Sequence, residues 1–278
     1  SWMGATIQDS FWAPPDLLTE IQDFVADTEE LRSVRSAHEV AVVYSVVSTR
    51  DAINEADSGD NLVNARNESV EVPFRRAAEA LAGASVPFDV VLLTDGGLAG
   101  DRFGAEDLAR YTTVVLPGCW WLTDHQVLTL LAHLDAGGHV VASGEVGTNA
   151  EGADRERLRT HPNLVVAQDA SALDLEGGPQ VTCSSPLAVN LHRLDDGRVA
   201  AHLVNYDHDD EQDRVRTLTG MELVVRLARH TRVQAEVHVP GQPVRSVPVE
   251  TSTSTHRVVL DEVGAYTVVV FVPAEGAL

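Results

Sequence analysis

The chain has 278 residues, enough for two ordinary domains, and its hydrophobic fraction of 44% is normal for a globular protein. Its 42 Asp and Glu stand against 20 basic residues, all arginine, for a formal net charge of −22. A field of that sign repels phosphate backbones and anionic membranes, so neither nucleic acid nor a membrane is an expected partner.

The acidic, lysine-free composition reads as a solubility device. No apolar run approaches the roughly 20 residues of a membrane span. No basic stretch leads an apolar one at the start, so a cytoplasmic location is expected. The opening Ser1-Trp2-Met3-Gly4 reads as the interior of a longer chain. Cys119 and Cys183 are too few for a disulfide framework and read as buried apolar residues.

In chain order, residues 1–37 form a helix and linker. Asp16 is a candidate cap, and Leu17, Leu18, Ile21, Phe24 and Val25 recur at helical spacing. That stripe needs a surface, expected on the next domain or on one outside this chain. Val40 to Val47 is a continuous apolar run, as in a strand covered on both faces. Helices are expected over Val72 to Ala84, Ala105 to Arg110 and Thr123 to Ala136, the last capped by Thr123 and stopped by Gly137-Gly138. Strands are expected over Pro87 to Leu93, Thr112 to Pro117, His139 to Ser143 and Leu164 to Ala167. The alternation implies a parallel sheet, here a flavodoxin-like α/β domain over residues 38–176.

After Gly177-Gly178-Pro179 helical spacing fades. Short strands are expected at Val181–Ser184, Ala188–Leu194, Arg198–Tyr206, Glu222–Leu227, Val233–Val239, Val244–Glu250, Arg257–Leu260 and Ala265–Val272. Asp195-Asp196-Gly197 signals a hairpin, and Pro240-Gly241 marks a further turn. Residues 177–278 thus read as an all-β, immunoglobulin-like sandwich.

Leu116-Pro117-Gly118-Cys119-Trp120-Trp121-Leu122-Thr123-Asp124, followed by Gly137-Gly138-His139-Val140-Val141-Ala142-Ser143-Gly144, resembles the trimerisation domain of β-galactosidases. That domain has a class I glutamine-amidotransferase-like fold without the amidotransferase chemistry. Val189-Asn190-Leu191-His192-Arg193 and His202-Leu203-Val204-Asn205-Tyr206 resemble the C-terminal β-sandwich of the same hydrolases. The resemblance covers about two thirds of the chain. Family enzymes carry their catalytic carboxylates on a TIM barrel of about 250 residues, for which this chain has no room. The resemblance therefore implies an accessory and assembly role in carbohydrate metabolism, as a homo-oligomer such as a trimer, with carbohydrate as a candidate ligand and no cofactor.

Cys119 is the first residue to weigh for chemistry. It sits in a strand-to-helix turn, where open α/β sheets bind ligands and related amidotransferases place a nucleophile. Gly118 supplies half of such an elbow, but Trp120 and Trp121 follow where small residues are needed. His161, in Thr160-His161-Pro162-Asn163, is the candidate base, with Asn163 where the family has Glu; Glu145 and His125 are further candidates. No catalytic residue is assigned on this pattern. A small Cys119-dependent hydrolase or amidotransferase is the enzymatic alternative, and a carbohydrate-binding module is another.

Trp120 and Trp121 cannot both face the core easily and are candidate ligand or interface residues. Ser48-Thr49-Arg50-Asp51 is expected as a loop on the same sheet edge, with Arg50 holding a carboxylate or pairing with Asp51 or Asp57. The polar stretch 52–67 reads as a lid or partner contact. Asp207, Asp209, Asp210, Glu211 and Asp213 lack EF-hand spacing and read as a solvated acidic loop. No metal site is expected.

Overall fold

Val40-Ala41-Val42-Val43-Tyr44-Ser45 is β-branched and apolar almost throughout, and all but Tyr44 are buried. Such a run is stable only as an inner strand, with helices over both faces of the sheet. The computed structural model describes residues 15–55, 67–95, 103–167, 175, 177–227 and 233–273. Two units emerge, one of residues 38–82 and 88–179 and one of the residues up to 37, 83–87 and 180–278.

In chain order the elements begin with α1 (Pro15–Asp27). The α/β unit then contains β1 (Val40–Ser45), α2 (Val46–Glu55), α3 (Val72–Gly83), β2 (Asp89–Leu93), α4 (Ala105–Leu108), β3 (Thr113–Pro117), α5 (Asp124–Asp135), β4 (His139–Ser143), α6 (Ala153–Arg159) and β5 (Leu164–Ala167). Its five strands are all parallel, in the order β2-β1-β3-β4-β5. Val42 lies opposite Val90 on one side and Val115 on the other, which sets the register. Ala41, Val43, Val114, Leu116, Val140 and Ala142 face one core, which Leu130, Leu131 and Leu134 of α5 and Leu158 of α6 complete. The order reverses between β1 and β3, and it is at the carboxyl ends beside such a reversal that open α/β sheets hold ligands.

Two local expectations change. Residues 48–51 are helical, inside α2, rather than a loop. Ser45 caps the helix: its Oγ accepts from the Ser48 N–H at 3.1 Å, and the β-branched pair Val46-Val47 hides the boundary in the sequence. Helix α6 is a further element that the sequence reading missed, because its Ala-Asp-Arg-Glu-Arg-Leu-Arg sequence has almost no apolar periodicity. Part of the 52–67 stretch is helical to Glu55, and residues 56–66 lie outside the described ones.

The second unit holds β6 (Val181–Cys183), β7 (Ala188–Arg193), β8 (Val199–Val204), β9 (His208–Asp209), β10 (Arg214–Val215), β11 (Leu218–Arg226), β12 (Val233–His238), β13 (Arg245–Val247), β14 (Glu250–Ser252), β15 (Thr255–Val263) and β16 (Tyr266–Pro273). A four-stranded sheet, β14-β15-β11-β6, and a five-stranded sheet, β13-β12-β16-β8-β7, share one core. Leu223, Val225, Val258 and Leu260 come from the first; Leu191, Leu203, Ala235, Val237, Val269 and Phe271 come from the second. The period of two along each strand supplies these inward residues. Gly197, at φ 86°, closes the β7–β8 hairpin.

Strands β8 and β16 are also apolar on their outward positions, where Ala200, Val268 and Val270 pack with Leu31 and Phe24. The Phe24 and Tyr266 rings meet edge-on at 5.6 Å. The cover for α1 is therefore the outer face of this five-stranded sheet. The side chains of Leu17, Leu18 and Ile21 lie outside the described ones.

Candidate functional site

At the carboxyl ends of β1 and β3 the candidate site is built around the turn from Gly118 to Thr123. Gly118 begins it at φ 64°, a conformation that favours glycine. A Cβ there would lie 2.3 Å from Ser69 O, so the residue 69–70 backbone can approach only because position 118 has no side chain.

The turn is held from both sides. From α2, Ser48 Oγ accepts the Trp121 N–H at 3.1 Å, and Asp51 Oδ2 accepts the Trp120 indole N–H at 2.9 Å. From the segment after β4, Gly147 N–H donates to Cys119 O and Asn149 N–H to Trp120 O, each at 3.4 Å. The Asn149 side chain closes both ends of Leu122: its Oδ1 accepts the Leu122 N–H at 3.0 Å and its Nδ2 donates to Leu122 O at 3.1 Å. Arg155 adds a donor to Leu122 O at 3.0 Å and to Asp124 Oδ1 at 2.9 Å. Its side chain is only 7% exposed, so its charge depends on these two acceptors.

The geometry removes what a nucleophile would need. Cys119 is fully buried, and burial pushes its thiol far above the ordinary range. Among the described residues its Sγ makes one hydrogen bond, donating to Pro117 O at 3.5 Å. The N–H groups of Trp121 and Leu122, which could otherwise stabilise an oxyanion, are already committed to Ser48 Oγ and Asn149 Oδ1.

His161 is not brought near. It precedes β5, with Nδ1 accepting the Asn163 N–H at 3.2 Å and Nε2 3.5 Å from Asp135 Oδ1 at the end of α5. Both groups sit at the amino edge of the sheet, and Cys119 lies beyond the carboxyl end of β3. A five-residue strand separates the edges by roughly 16 Å. Glu145 does lie past the carboxyl end of β4, but it is exposed and accepts from Thr148 Oγ1 at 3.0 Å.

The turn does bring Trp120, Trp121 and Asp51 together. Both indoles and Asp51 are half-buried, and the Asp51 bond orients one ring. Arg50 forms an ion pair with Asp95, just past the carboxyl end of β2; Asp57, the other expected partner, lies outside the described residues. Asn149 and Arg155 were missed in the sequence, and Ser48 was placed at this edge without its role as an acceptor for the Trp121 N–H. The only signal for Asn149 is its place in a glycine-spaced segment, Gly144 to Gly152, that follows a strand.

Elsewhere, the acidic loop is internally paired. Arg216 engages Asp207 and Asp209, and His208 lies between Asp210 and Asp213. Among the described residues no group of His, Cys, Asp and Glu is arranged to hold a metal ion, and no helix is long and apolar enough to cross a membrane.

No family model and no curated protein matches this chain. Solved structures do. The α-L-fucosidase isoenzyme 2 from Paenibacillus thiaminolyticus aligns at TM-score 0.56 and 13% identity, over 90% of this chain and 51% of that one. The rhamnosidase from Novosphingobium sp. PP1Y aligns at TM-score 0.55 and 17% identity, over 94% of this chain and 25% of that one. The β-galactosidase from Bacillus circulans sp. alkalophilus aligns at TM-score 0.51 and 12% identity, over 88% of this chain and 44% of that one. This chain has a glycosidase-like fold. It spans about half or less of each of these glycoside hydrolases, and at such identities the likeness concerns fold alone.

Proposed function

We propose that this chain is the non-catalytic, oligomerising accessory portion of a glycoside-hydrolase-like protein of carbohydrate metabolism, whose catalytic barrel is not among these 278 residues. The observation that carries the reading is coverage. Nearly the whole chain, 88–90%, aligns with 44–51% of the fucosidase and the β-galactosidase. The strand order β2-β1-β3-β4-β5 supports the finer reading of the α/β unit as flavodoxin-like and glutamine-amidotransferase-like. The two antiparallel sheets over one core support an immunoglobulin-like reading of the second unit. A cytoplasmic homo-oligomer, such as a trimer, belongs to the same proposal.

The buried thiol of Cys119 and the distance to His161 give the hydrolase alternative no support. Two half-buried indoles at the sheet edge where open α/β folds bind ligands support carbohydrate as a ligand at Trp120 and Trp121.

The test has two arms. The purified chain is assayed with nitrophenyl β-galactoside, α-fucoside and α-rhamnoside, and hydrolysis above the blank is not expected. Sedimentation equilibrium is run at micromolar concentration, and a homo-oligomer is expected. Glycoside turnover by the chain alone, or a strict monomer, would defeat the proposal.

A further inference from the structure

The segment that leaves α1 is tied to the outer face of β8 and β16 by hydrogen bonds that run in one direction. The Arg32 side chain bonds the Tyr266 hydroxyl. That hydroxyl lies 2.5 Å from His202 Nδ1, and His202 Nε2 lies 2.9 Å from Leu31 O. A guanidinium only donates and a carbonyl only accepts, so each proton has an assigned place. Arg32 donates to the hydroxyl, the hydroxyl donates to Nδ1, and Nε2–H donates to Leu31 O. The series leaves the segment at Arg32, crosses two strands and returns to it at Leu31. Arg32 also donates to Val25 O at 2.8 Å, which joins the last turn of α1 to the same set of bonds.

A second proton on the His202 ring has no place in this arrangement. On Nδ1 it would meet the hydroxyl proton, and Tyr266 has no other acceptor among the described residues to which that proton could turn. The groups that face the ring make the added charge costlier. They are Tyr266 of β16, the buried His192 of β7 edge-on at 4.7 Å, and the Arg32 cation of the segment. No carboxylate among the described residues acts on the ring. His202 itself is buried, so a charged ring gains little from water until the segment lifts.

We infer that His202 is a pH-sensitive latch, whose protonation releases residues 24–33 from the outer face of the five-stranded sheet while both sheets of the unit stay folded. Release uncovers the apolar positions Ala200, Val268 and Val270, on which Phe24 and Leu31 sit. Burial, ahead of His192 and Arg32, holds the seated ring down at about 4, and an exposed imidazole titrates near about 6.5. The latch is therefore fully closed above about 6.5 and weakens as pH falls toward 4.

The experiment is hydrogen exchange of the full chain, read by peptide at pH 7.5 and pH 5 and corrected for intrinsic exchange rates. In the wild type, opening of residues 24–33 is expected to increase about thirtyfold at pH 5. It should exceed, at both pH values, the opening of strand β15, which reports unfolding of the sandwich itself. His202→Gln can accept from Tyr266 and donate to Leu31 O without titrating, and should open equally at the two pH values. A wild-type segment that opens only together with β15, or without a pH response, overturns the inference. So does a His202→Gln segment with the wild-type response.

Discussion

The indole N–H of Trp120 donates to Asp51 Oδ2 at 2.9 Å, joining residues that are 69 positions apart in sequence. It links α2 to the turn after β3, across the reversal point of the sheet. A charged acceptor makes this bond stronger than a neutral one. Asp51→Ala is expected to cost about 1–2 kcal/mol in urea unfolding, and Asp51→Asn, which keeps an acceptor oxygen, less. Tryptophan fluorescence should change in the Ala variant. Equal stability of wild type and Asp51→Ala would mean the bond does not form in solution.

Gly118 and Gly197 separate backbone strain from collision. Both have positive φ, 64° and 86°. An added Cβ at Gly118 meets Ser69 O at 2.3 Å, while at Gly197 it meets nothing within 4 Å. Gly197→Ala should cost about 1 kcal/mol, the left-handed penalty alone. Gly118→Ala should cost about 3 kcal/mol or more, because residues 69–70 must also move. Comparable melting temperatures for the two variants would refute the close approach.

The thiols offer a third check. Cys119 is fully buried, whereas Cys183 is half-buried with its pKa pushed up to about 11 by burial. With a thiol reagent at pH 8, native protein should react slowly and only at Cys183, and both cysteines should titrate after denaturation. Rapid native labelling of Cys119, located by peptide mapping, would revive the nucleophile reading.

His202 predicts a pH dependence. Its Nε2 donates to Leu31 O at 2.9 Å and its Nδ1 lies 2.5 Å from the Tyr266 hydroxyl, an arrangement for the neutral ring. Burial, then the neighbouring His192 and Arg32, holds its pKa down to about 4. The unfolded chain, at about 6.5, takes up the proton first, so stability is full above that value and falls as pH drops toward 4. The loss should approach about 3 kcal/mol by pH 4 and be largely absent in His202→Gln. A variant with the wild-type slope between pH 6.5 and 4 would assign the effect to other groups.

The sequence by itself determined the two layer types and the strands of the parallel sheet. Continuous apolar strands alternating with helices demand a parallel sheet covered on both faces. Short strands separated by turns after Pro179 imply a pair of facing sheets instead. Thr123 as a cap and Gly197 as a hairpin turn were legible too, because each acts on residues within a few positions of itself. Helix α6 was not, since it is fixed by burial of Leu158 and Arg155 and not by its own pattern.

Only the tertiary structure decided the site. It put Asp51, Ser48 and Asn149 on the turn at Trp120 and Trp121, sent His161 to the far edge and sealed Cys119 in the core. The physical reason is range. Caps, turns and periodicity are local and can be read from neighbours, whereas which side chains meet across a sheet edge depends on strand order and register, set by the packing of the whole core.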